Sequence, residues 1–97
     1  MKLGVIGLGY VGVVTAAVFS DLGFEVIGVD LDQQVTDLVG KGQSPIFEDQ
    51  TDLLLLNGVV RGLISATTDL DSVIEDLDIL FVCVGTPSSE DGVLDLS

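Results

Sequence analysis

Three glycines and one acid carry the chemistry that this sequence makes legible. Gly7, Gly9 and Gly12 form the run Gly7-Leu8-Gly9-Tyr10-Val11-Gly12, and Asp30 lies 23 residues after Gly7. Apolar runs flank both features: Leu3 to Ile6 before the glycines, Tyr10 to Phe19 after them, and Glu25 to Val29 before the acid. Strand, glycine turn, helix, strand, acid is the order in which a βαβ unit holds a dinucleotide. Gly7 lets the chain turn tightly out of the strand. Gly9, lacking a Cβ, lets a phosphate approach the backbone, and Gly12 lets helix and strand pack closely. The helix N-terminus turns amides and a partial positive charge toward the pyrophosphate. Asp30 is suited to accept hydrogen bonds from a ribose diol. Its charge would repel a 2′-phosphate, which favours NAD over NADP.

The elements that must position these residues follow from patterning. Strands are expected at Lys2 to Ile6, Glu25 to Asp30, Leu63 to Thr67 and Asp78 to Val84. Helices are expected at Tyr10 to Leu22, closed by a left-handed Gly23, and at Gln33 to Val39. A short helix at Asp49 to Leu56 is expected to stop at Asn57-Gly58. Another is expected at Asp69 to Asp76, with Thr68 or Asp69 as cap. The first helix is apolar enough to be covered on all sides. Strand four is almost wholly apolar, as a central parallel strand should be. The fold class is therefore α/β: a partial, Rossmann-type doubly wound parallel sheet of about four strands in the order 3-2-1-4. Ligands bind such sheets where strands one and four diverge. Thr86, in Gly85-Thr86-Pro87 after strand four, is thus expected near the cofactor, with an acidic loop from Ser88 to Ser97 beyond it.

Composition narrows the function classes. The chain has 97 residues, 47% hydrophobic, and a mean hydropathy of +0.65, enough for one small domain. Leu3 to Phe19 carries no charge, but its four glycines argue against one helix through the stretch, and hence against a signal peptide or membrane span. The single cysteine, Cys83, excludes an internal disulfide framework and fits a reducing, cytoplasmic setting. With no histidine and no zinc-like cysteine spacing, no metal site is expected. Three cations (Lys2, Lys41, Arg61) stand against 16 acids, giving a net charge of −13. That balance excludes nucleic acid and anionic membrane surfaces as partners. It also opposes an anionic cofactor at low salt, so the local helix field must prevail. Few lysines and many aspartates resemble the composition of proteins from salty cytoplasm; the alternative is a solvated acidic surface that keeps the chain in solution.

Four segments in order, Met1 to Gly12, Val26-Ile27-Gly28-Val29-Asp30, Gly42-Gln43-Ser44-Pro45-Ile46 and Cys83-Val84-Gly85-Thr86-Pro87, carry a resemblance. Together they resemble the amino-terminal NAD-binding domain of the UDP-glucose/GDP-mannose dehydrogenase family, over essentially residues 1–97. The resemblance implies oxidation of a nucleotide-sugar C6 alcohol to a carboxylate, as in polysaccharide biosynthesis. Two NAD act in succession, with a covalent thiohemiacetal and thioester on a cysteine. It implies cofactor contacts from Tyr10, Val11, Asp30 and Thr86. UDP-glucose is the expected substrate because it is the commoner one in the family, with GDP-mannose as the alternative. The family's catalytic cysteine lies in a downstream segment that this sequence lacks, and Cys83 reads as a core residue, so no catalytic residue is expected here. The catalytic, sugar-nucleotide part is expected to be absent, leaving a fragment inactive by itself. Two departures stand out. Val35 occupies a position where the family has a basic residue, and Phe47-Glu48-Asp49-Gln50-Thr51 replaces an aromatic followed by Glu-Pro-Gly-Leu. Other NAD-dependent dehydrogenases share the glycine turn, although the segment after strand four argues against them. A non-catalytic NAD-binding or interaction module is the reading from another class. An uncovered strand four also leads to an expectation of self-association.

Overall fold

A computed structural model of the chain describes residues 1–44 and 49–83. Thr86, the segment around it, and the expected loop from Ser88 to Ser97 lie outside the described residues. The order of elements is β1 (Lys2–Ile6), α1 (Tyr10–Asp21), β2 (Glu25–Val29), α2 (Gln33–Gly40), α3 (Asp49–Val60), β3 (Ile64–Thr67), a single 3-10 turn (Ile74–Asp76) and β4 (Ile79–Val82). The four strands form one parallel sheet in the order β3-β2-β1-β4, as the sequence predicts. The register sets Val5 opposite Gly28 and Phe81, and Gly28 opposite Ala66.

One core fills one face of this sheet. Leu3, Val5, Val26 and Ile64 from the strands meet Val13, Ala16 and Ala17 of α1, Val39 of α2 and Leu55 of α3. Phe19 of α1 stacks on Phe81 of β4 with ring centroids 5.2 Å apart. Strands that alternate their side chains put Gly4, Ile27, Leu80 and Val82 on the other face. There Gly4 leaves room for Leu77 and Leu80, whose methyl groups occupy the space a Cβ would need.

Three expectations require correction. The first concerns α3, which does not stop at Asn57-Gly58 but continues to Val60. A Cβ on Gly58 would lie 2.6 Å from Ser20 Oγ and 2.5 Å from Ile64 Cδ1. Gly58 is therefore a packing glycine at the crossing of α1 and α3. The chain turns instead at Gly62, with φ +76°.

The second concerns Asp69 to Asp76, which forms turns and one 3-10 turn rather than an α-helix. Acids recur through this segment, including Glu75 and Asp76 at its end, where negative charge opposes the helix dipole. Thr67 Oγ1, not Thr68 or Asp69, does the capping-like work by accepting the Asp69 amide at 3.1 Å.

The third concerns α1, which is not covered all round: Val11, Val18 and the following Leu22 are exposed. β4 pairs only with β1 among the described residues, the edge position that the order 3-2-1-4 predicts, and Ile79, Leu80 and Val82 are exposed there.

Candidate dinucleotide site

The glycine turn and the acid meet at the carboxyl ends of β1 and β2. Gly7 leaves β1 with φ +92°, a left-handed conformation in which a β-carbon is strained. Its amide donates to Val29 O at 2.8 Å, which holds the turn against the end of β2. Leu8 follows, and its side chain is buried at 1% exposure over Gly28, where any Cβ would fall 2.9 Å from Leu8 Cδ2. The Leu8 amide donates to Asp30 Oδ2 at 2.8 Å. The other carboxylate oxygen, Oδ1, accepts the Asp32 amide at 2.9 Å. The acid is thus tied directly to the turn it was expected to serve.

Gly9 caps α1 with extended backbone and supplies no side-chain cap. A Cβ placed on it would meet nothing within 4 Å, so the space above it is open to a ligand. The first helical bond runs from the Val13 amide to Gly9 O at 2.9 Å. The Val11 and Gly12 amides therefore lie ahead of the helical ladder, at the positive end of the helix dipole. No acidic side chain occupies that first turn. Tyr10 and Val11 are exposed beside it. Gly12 faces inward: a Cβ there would collide with the Gly7 carbonyl oxygen and touch Val5 Cγ1 at 3.4 Å. Gly9 leaves room for a ligand, whereas Gly12 lets helix and strand come together.

Beside Asp30 lies a cleft of about 390 Å³. Ile6, Val29, Asp30 and Leu31 form one side, and Thr68 to Asp71 the other. The segment that failed to become a helix is therefore a wall of the cleft. Sequence reasoning missed this wall, and it missed Leu8 and Gly28 as a plug and its socket. Gly28 in the middle of an apolar strand was the available signal, since such a glycine marks close approach by another group. Of the seven residues expected at the cofactor, the structure brings together Gly7, Gly9, Tyr10, Val11, Gly12 and Asp30, while Thr86 lies outside the described residues.

Val35 packs against the core, and so does Cys83, whose amide donates to Ile6 O at 2.7 Å. Among the described residues no group of three His, Cys, Asp or Glu side chains is placed to hold a metal ion. No helix among them is long and apolar enough to cross a membrane.

A left-handed glycine turn into an uncapped helix, an open approach at Gly9 and a carboxylate at the end of β2 fit a dinucleotide. The chain is a dinucleotide-binding α/β domain of the Rossmann type. It belongs to the UDP-glucose/GDP-mannose dehydrogenase family, whose NAD binding domain matches residues 1–97, so the cofactor of the domain is NAD. The chain is similar to the GDP-mannose 6-dehydrogenase of Pseudomonas aeruginosa, with 47% identity over 99% of the chain. A crystal structure of a ternary complex of GDP-mannose dehydrogenase from that organism superposes with a TM-score of 0.91. The UDP-glucose 6-dehydrogenase of Rhizobium meliloti is 43% identical over the whole chain. A UDP-glucose dehydrogenase from Pyrobaculum islandicum is 34% identical over 89% of the chain, with a TM-score of 0.82 and 20% of that protein covered. The chain spans 22% of the length of the Pseudomonas and Rhizobium proteins.

Proposed function

We propose that residues 1–97 are the cofactor-holding part of a nucleotide-sugar 6-dehydrogenase, and that Gly7, Gly9, Tyr10, Val11, Gly12, Asp30 and Thr86 line its NAD. The hydrogen bond from the Leu8 amide to Asp30 Oδ2 carries this reading, because it makes the turn and the acid one unit. In it, the Val11 and Gly12 amides face the pyrophosphate, and Gly9 leaves room for it. Each oxygen of Asp30 already accepts one amide and keeps a lone pair for a ribose hydroxyl. When bound, NAD supplies the hydride acceptor for oxidation of the sugar alcohol. The residues here hold and orient it, and they include no catalytic group.

Relatives at 47% and 43% identity act by name on GDP-mannose and UDP-glucose respectively. The proposal therefore stops at the class of nucleotide sugar, and UDP-glucose gains no preference. Calorimetric titration with NAD and with NADP tests the cofactor reading. Saturable NAD binding, with NADP weaker by at least about ten-fold, is expected from repulsion between Asp30 and a 2′-phosphate. NADP binding as tightly as NAD would contradict it.

Self-association belongs to the same proposal. The exposed Ile79, Leu80 and Val82, on a strand with one free edge among the described residues, support it. Sedimentation is expected to show a mass that rises with concentration, and a constant monomer mass would count against it.

A further inference from the structure

The charges of this chain are distributed unequally about the site. Its three cations all stand away from the carboxyl ends of the strands. Lys2 opens β1 at the opposite end of the sheet, where its Nζ lies 3.4 Å from Glu25 Oε2. Arg61 follows α3 and precedes β3, so it too lies at the end where strands begin. Lys41 closes α2, nine residues and about 13 Å along the helix from Asp32 at its start. The sequence contains no other lysine or arginine and no histidine. At the carboxyl ends the picture reverses. Asp30, Asp69 and Asp71 line the cleft, and Asp32 is held beside Asp30 through its amide. An anionic ligand reaching this rim meets backbone amides and carboxylates, and no cationic side chain of this chain.

We infer that the dinucleotide site is gated by ionic strength: it takes NAD with a net uptake of cations, so that affinity rises with salt. The inference rests on the cofactor reading above. Attraction at the start of α1 acts at contact and fades within the first turn of the helix. Repulsion from the rim acts over longer distances. The screening length falls from about 10 Å at 0.1 M salt to about 3 Å at 1 M. Salt therefore removes more of the repulsion than of the attraction, the opposite of a site that recruits phosphates with lysine and arginine. The effect should also grade with ligand charge. NAD in its oxidised form carries two phosphate charges offset by the nicotinamide cation, whereas the reduced form lacks that offset. Low salt thus disfavours the reduced cofactor more than the oxidised one. The cations act as an atmosphere, since no described acidic group is arranged as a metal site.

Titration of the full chain with oxidised NAD, reduced NAD and adenosine, each from 0.05 to 1 M KCl, tests this. Circular dichroism fixes the salt range in which the chain stays folded, and the slopes are read within it. Affinity for oxidised NAD is expected to rise roughly ten-fold, more steeply for the reduced form and scarcely at all for adenosine. Tetramethylammonium chloride should act as KCl does. The double substitution Asp69→Asn with Asp71→Asn should flatten the NAD slope by about half. Asp21→Asn, at the far end of α1, should leave it unchanged. NAD affinity that is flat or falls with salt overturns the inference. A parallel rise for adenosine does so too, because it would reflect apolar burial strengthened by salt. No NAD binding at any salt is a different result: it removes the cofactor reading itself, and this inference with it.

Discussion

An alanine at Gly12 is expected to lower the stability of the domain by about 3 kcal/mol, while an alanine at Gly9 leaves stability within about 0.5 kcal/mol and removes most NAD affinity. The two glycines belong to one motif but face different neighbours. The Cβ of alanine at position 12 would overlap the Gly7 carbonyl oxygen, a backbone atom that cannot swing aside. Relief requires α1 to move off β1, and that separates Val13 and Ala16 from the core they share with Val5. Against a total of about 5–15 kcal/mol for a small domain, this is a large fraction. At Gly9 the backbone has φ −77°, which alanine adopts without strain, and no atom lies within 4 Å of the added carbon. That carbon instead fills the space proposed for the pyrophosphate. Urea unfolding and calorimetry on the same two variants separate the effects. Equal loss of stability in both would show that the open space at Gly9 is needed by the fold, and unchanged NAD affinity in the Gly9 variant would move the phosphate elsewhere.

Asp30→Ala is expected to weaken NAD by about 10- to 100-fold and to destabilise the domain by about 1–3 kcal/mol. Both effects have one origin. The carboxylate accepts the Leu8 and Asp32 amides, so removing it leaves the partly buried Leu8 amide without its acceptor. Asp30→Asn does not restore the arrangement, because one amide would then face an NH₂ group. A fall in NAD affinity alone does not separate contact with the ribose from bracing of the turn. A 2′-deoxy analogue of ADP makes the distinction. If Asp30 holds the diol, the parent loses affinity on removal of the hydroxyl and the variant does not. If it only braces the turn, both lose equally.

Much of the fold is written in short-range pattern. Leu3 to Ile6 and Glu25 to Val29 read as buried strands because parallel strands covered on both faces are almost continuously apolar. The left-handed residues at Gly7 and Gly23 are legible because glycine alone takes such φ values without strain. The site was legible for the same reason: a turn, a helix start and an acid at the end of the next strand are local features in fixed order. The misreadings have a common cause. Asn57-Gly58 looks like a stop because glycine weakens helices, but at Gly58 the gain from close approach of α1 outweighs that weakness. Leu70, Val73, Ile74 and Leu77 have helical spacing, yet the acids around them keep the segment in turns.

By itself, then, the sequence determined the strand order, the glycine turn, the acid that faces it and the family to which these belong. Each depends on residues near one another along the chain, or on topology that right-handed crossovers leave little freedom to vary. Only the tertiary structure decided which glycines serve packing rather than turning, and that Leu8 fills the socket left by Gly28. It alone decided that Asp30 braces the turn, and that Thr68 to Asp71 wall the cleft. These outcomes depend on distances between atoms far apart in sequence. A residue's type limits what it can touch, but the packing of the sheet decides what it does touch.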